Sequence, residues 1–69
     1  MTNDIAEVIH DLLKELSSEI DLHYEPEDYF ALSSTFETMK RAGKLLEAGG
    51  FPIPPVYVHV VARFHSQRN

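Results

Sequence analysis

The groups able to do chemistry in this 69-residue chain are eleven carboxylates, four histidines and two clusters of hydroxyls, with no cysteine beside them. A helical metal site needs two imidazoles one turn apart. His10, His23, His59 and His65 supply no i,i+4 pair and no HExxH run, and His59 and His65, six apart, fall on different faces of a helix. No metal or cofactor is therefore expected. Ser17-Ser18 and Ser33-Ser34-Thr35 lack the GxSxG turn that exposes a nucleophile. Hydroxyls within a helix more often bond back to a carbonyl one turn earlier or mark a close helix approach. A hydrolytic pair of carboxylates must face across a cleft, which three short helices rarely enclose. Gly49-Gly50 is too short and too late to cradle a phosphate. No residue set specifies a reaction, and a non-enzymatic protein is expected.

The carboxylates are informative for another reason. Asp4, Glu7, Asp11, Glu15 and Glu19 recur at steps of three, four, four and four. On a helix, four residues advance about 6 Å. That is close to the spacing of successive phosphates on a DNA strand, where the rise per base is about 3.4 Å with the winding path added. Glu7–Asp11 and Glu15–Glu19 are like-charge i,i+4 pairs, each costing a few tenths of a kcal/mol in an isolated helix. A solvated outer helix face explains such a row; so does recognition of a basic surface. On the second reading Asp11, Glu15 and Glu19 stand in for phosphates, with Lys40 and Arg41 near the rim of the contact.

Charge is divided along the chain. Residues 1–28 hold nine acidic residues and one lysine; residues 29–69 hold two acidic and five basic ones, for a net −5. The acidic half disfavours nucleic acid or an anionic membrane as a direct ligand and favours a basic protein surface, or the basic half of a second copy. A DNA-binding regulator or antitoxin using Lys40, Arg41, Lys44 and Arg63, extended by Arg68, is the first alternative; a scaffolding module is the second.

These groups need elements to hold them. Ile5, Val8, Ile9, Leu12, Leu13, Leu16 and Ile20 predict an amphipathic helix over 3–23, capped by Thr2 or Asn3, with Asp4 and Glu7 favourable in its first turn. Pro26 ends it and opens a second helix over 26–48, closed by Gly49-Gly50. Within that helix Tyr29, Leu32, Phe36, Met39, Gly43 and Leu46 form a heptad-spaced seam. A Pro-rich joint follows at 51–55, stiff and extended, pinning Phe51 and Ile53. Segment 56–66 fits two readings. Val56, Val58 and Val60 alternate as in a strand, whereas Pro54-Pro55 and the spacing of Tyr57, Val60, Val61 and Phe64 fit a helix. A strand would need a partner from another copy, so helix is favoured. Residues 66–69 read as a frayed tail.

The expected fold is all-α: an antiparallel helical hairpin plus a short C-terminal helix, in one domain. A chain this short buries only about 60% of its unfolded surface, and without disulfides self-association is the natural supplement. The seam is the expected homodimer interface, since its large side chains look too many for one covering helix. No secretory signal is visible, and no apolar run approaches the roughly 20 residues that span a bilayer. A cytoplasmic protein with no membrane or small-molecule ligand is expected.

The acidic row of helix one, the Tyr29–Leu46 seam, the Pro-rich joint and the absence of cysteine together resemble the small phage-encoded inhibitor proteins. The layout is similar to the anti-quorum-sensing protein of Mu-like temperate phages. That resemblance implies a helical dimer in the host cytoplasm that occupies the DNA-binding domain of a LuxR-type activator, with a pilus-assembly ATPase as a second target.

Overall fold

A computed structural model describes residues 2–67 of the chain. It is all-helical: α1 spans Asn3–His23, a 3₁₀ segment spans Pro26–Leu32, α2 spans Ser33–Ala48 and α3 spans Pro55–Gln67. Segment 56–66 is thus helix. The helix continues through Ser66 and Gln67, where a frayed tail was expected; Arg68 and Asn69 lie outside the described residues.

Thr2 caps α1, its Oγ1 accepting a hydrogen bond from the Ile5 N–H at 3.3 Å. The helix stops at Tyr24, which is extended ahead of Glu25-Pro26. From Pro26 the chain does not enter the single long helix expected over 26–48. It makes a 3₁₀ segment first, and Leu32 (φ −105°, ψ 19°) breaks the α ladder before α2 begins. Ser33 Oγ donates to the Phe30 carbonyl at 2.6 Å, a side-chain bond that competes with the helical one. The 3₁₀ turn repeats every three residues, so Tyr29 and Leu32 share one face and Tyr29 points fully into the core.

At the other end of α2, Gly50 takes φ 75°. The Gly50 N–H donates to Glu47 O at 3.0 Å and the Phe51 N–H to Leu46 O at 2.9 Å, the two bonds of a Schellman closure. The Pro joint is absorbed into the fold, with Pro54 buried and Phe51 and Ile53 packed against the core. The Tyr57 and Val58 N–H groups donate to the Pro54 carbonyl as α3 begins.

The core is built on Phe36. Its ring stacks on Phe64 of α3 (centroids 4.3 Å apart, 12° between planes) and meets Tyr29 at 5.5 Å. Ala6, Leu13 and Ile20 of α1 close it from one side, and Val60 of α3 from another. Gly43 lets α3 approach: a Cβ there would sit 2.9 Å from Tyr57 Oη and 3.1 Å from its ring.

This packing corrects the assignment of the seam. Tyr29, Phe36, Met39, Gly43 and Leu46 are buried inside the single chain, and Leu32 is half-buried. They offer a second copy no surface. The expectation allowed one covering helix, whereas α1 and α3 together enclose the seam.

Candidate interaction surface

α1 presents two outward rows and one inward row. Ala6, Leu13, Ser17 and Ile20 face the core. Asp4, Glu7, Asp11, Glu15 and Glu19 are all exposed, so the acidic row is a real edge of the molecule. Its members are not equivalent. His10 Nδ1 lies 3.3 Å from Asp11 Oδ1 and His23 Nε2 lies 3.5 Å from Glu19 Oε2, while Glu15 makes no ion pair among the described residues. Asp21, outside the row, is turned inward: its Oδ1 takes Arg63 Nη1 at 3.4 Å and His59 Nε2 at 3.3 Å, tying α1 to α3.

Between the acidic edge and the core runs a row of apolar side chains left open. Ile5, Val8, Leu12 and Leu16 are 41–65% exposed, and Leu45 of α2 is 56% exposed across from them. The two helices frame a cleft of about 200 Å³ lined by Ile9, Leu12, Leu13, Leu16, Thr38, Met39 and Ala42. It continues into a second of about 280 Å³ bounded by Arg41 and Leu45. The sequence reading placed the whole apolar set of α1 on one buried face. The set is too wide for that: Ala6, Leu13, Ser17 and Ile20 make one row, and Ile5, Val8, Leu12 and Leu16 another, stepping three, four and four. That second stepping is the signal that could have shown it. The Asp21 link has no such signal, its partners being 38 and 42 residues away.

The basic residues divide as well. Lys40 turns toward α3, its Nζ 5.8 Å from the centre of the Phe64 ring and 3.7 Å from Glu37. Arg41 is exposed beside the α1–α2 cleft and, like Lys44, makes no ion pair among the described residues. The structure therefore gathers Asp11, Glu15 and Glu19 on one edge and separates Lys40 from Arg41.

Two hydroxyls inside the fold, those of Ser17 and Tyr29, are buried without a hydrogen-bond partner among the described residues. Burial pushes the Tyr29 hydroxyl pKa up, with Arg63 opposing and Asp21 and Glu25 adding to the rise. Tyr57 is raised too, by burial and then by Glu47.

Among the described residues no three His, Cys, Asp or Glu side chains are placed to hold a metal ion, and no helix is long and apolar enough to cross a membrane. Comparison with family models, curated proteins and solved structures finds no match for this chain.

Proposed function

We propose that this chain is a non-enzymatic protein-binding inhibitor that docks the acidic edge of α1 on a basic surface, that of the DNA-binding domain of a transcription regulator. The observation that carries the reading is the row itself: five exposed carboxylates along about 22 Å of one helix edge. A surface that neutralises phosphates with Lys and Arg side chains meets here a comparable line of negative charge on a rigid rod. Asp11, Glu15 and Glu19 take the leading role as phosphate surrogates, with Asp4 and Glu7 extending the row toward the start of the helix. The likeness in charge and layout to phage anti-quorum-sensing inhibitors supports a LuxR-type activator as the regulator to try first, in the cytoplasm of the host cell, and a pilus ATPase second.

Direct DNA binding is less well supported. Of the residues it would use, Arg63 is held by Asp21, and Lys40 is drawn toward Glu37 and Phe64, which leaves Arg41 and Lys44 among the described residues against a net charge of −5. A scaffolding role for the Pro joint is weakened by the burial of Pro54 and the inward packing of Phe51 and Ile53.

The test is displacement of a purified LuxR-type DNA-binding domain from its promoter duplex. The wild-type chain should displace it, and Asp11→Lys, Glu15→Lys and Glu19→Lys combined should not. Equal displacement by both proteins would remove the charge-based reading. Retention of the chain itself on duplex DNA at about 50 mM salt would favour the DNA-binding alternative instead.

A further inference from the structure

We propose that the cavity between the start of α1 and the joint after α2 is a binding site for one organic cation, an alkylammonium or guanidinium group. The cavity measures about 390 Å³ and is lined by Asn3, Ala6, Glu7 and His10 on one side and by Phe51 and Pro52 on the other. Sites for small ligands run from about 300 to 1,000 Å³ and set a few polar groups in an apolar lining. The walls are fixed before a ligand arrives. Phe51 is packed against the core, and its N–H is bonded to Leu46 O at 2.9 Å in the Schellman closure. Pro52 stiffens the next step of the backbone. Ala6, buried on α1, faces them.

The side chains select the charge. The Glu7 carboxylate and the Asn3 amide make no ion pair or side-chain hydrogen bond among the described residues. His10 turns Nδ1 toward Asp11 Oδ1, 3.3 Å away, and where Nδ1 donates, Nε2 is left to accept. No Lys or Arg lines the cavity. A carboxylate accepts strongly from charged N–H donors, and an aromatic ring attracts a cation to its face. Glu7 and Phe51 supply that pair. An anion would meet Glu7 with no positive side chain to offset it, and a wholly apolar ligand would strip water from Glu7 and Asn3 and return no hydrogen bond. The cation has two sources. One is a Lys or Arg side chain of the basic partner, which rests on the function proposed above, since Glu7 belongs to the acidic row. The other is a free amine.

Proton NMR titration of the full chain with Nα-acetyl-arginine methylamide and Nα-acetyl-lysine methylamide tests the site without any regulator. Saturable shifts of the Phe51 ring and His10 imidazole resonances are expected. None is expected with Nα-acetyl-norleucine methylamide, which keeps an aliphatic stem and lacks the charge. Glu7→Gln, at an exposed position, should raise the Kd about threefold, and Phe51→Leu by a similar factor. Glu15→Gln, outside the lining, should leave it unchanged. Absence of saturable shifts, an equal response to the norleucine compound, or an equal loss in Glu15→Gln overturns the site. Promoter displacement then reads the source. Glu7→Gln and Phe51→Leu weaken displacement if a partner's side chain fills the cavity and leave it unchanged if the occupant is a free amine. A chain that displaces no regulator yet binds the arginine compound loses the proposed function and keeps the site.

Discussion

Two apolar rows of similar length run through this molecule, and they end in opposite environments. Tyr29, Phe36, Met39, Gly43 and Leu46 are sealed inside by α1 and α3. Ile5, Val8, Leu12 and Leu16 are half open to solvent along α1. Both rows step by three and four. Spacing therefore establishes that a helix has an apolar face but not what covers it; that depends on how many other elements of the chain can reach it. The seam lies within reach of two helices, whereas the outer row of α1 faces away from α3 and meets α2 only at its margin.

Substitutions should separate the two rows sharply. Phe36→Ala removes the ring on which Tyr29 and Phe64 meet and should cost about 3–5 kcal/mol, read as a large fall in the urea midpoint or loss of the folding transition. Gly43→Leu drives a side chain into Tyr57 and should cost about 1–3 kcal/mol by the same measurement. Tyr29→Phe should go the other way, stabilising the fold by about 1 kcal/mol, because the hydroxyl it deletes is buried without a partner.

The same tyrosine gives a pH test. Its pKa is raised in the folded chain, as is that of Tyr57, so each phenol holds its proton more tightly folded than unfolded. Their contribution is fully present below the unfolded value of about 10 and is lost as pH climbs through the folded value. Thermal stability should therefore decline above about pH 10, and less steeply in Tyr29→Phe.

Smaller effects belong to the surface. Asp21→Ala removes both ties between α1 and α3 and should cost up to about 1 kcal/mol, since Asp21, His59 and Arg63 are all partly solvated. Leu12→Ser should change the stability of the dilute single chain by less than about 0.5 kcal/mol. A large loss from Leu12→Ser in dilute solution would erase the distinction between the rows.

Much of this architecture could be read from residue types. Thr2, Pro26, Gly50 and Pro55 punctuate the chain where their backbone preferences require, and the 3–23 helix, the joint and the helical ending follow from them. The 3₁₀ entry to α2 was not legible, because Pro26, Glu27 and Asp28 open either kind of helix and the break at Leu32 depends on Tyr29 being drawn into a core assembled from distant elements. The carboxylate row was visible as a row. Which of its members are already engaged was not, because His10 and His23 settle that through side-chain geometry. The assignment of the seam failed because only one covering helix was counted: segment 56–66 was read as helix, but spacing does not tell that it folds back over the seam.

The corner between α2 and α3 joins a residue that can bend backward to prolines that can hardly bend at all. Such a corner is partly shaped before anything packs against it, which lowers the entropy the last helix gives up when it docks. α3 thus reaches its place over the seam with few arrangements of the joint left to give up.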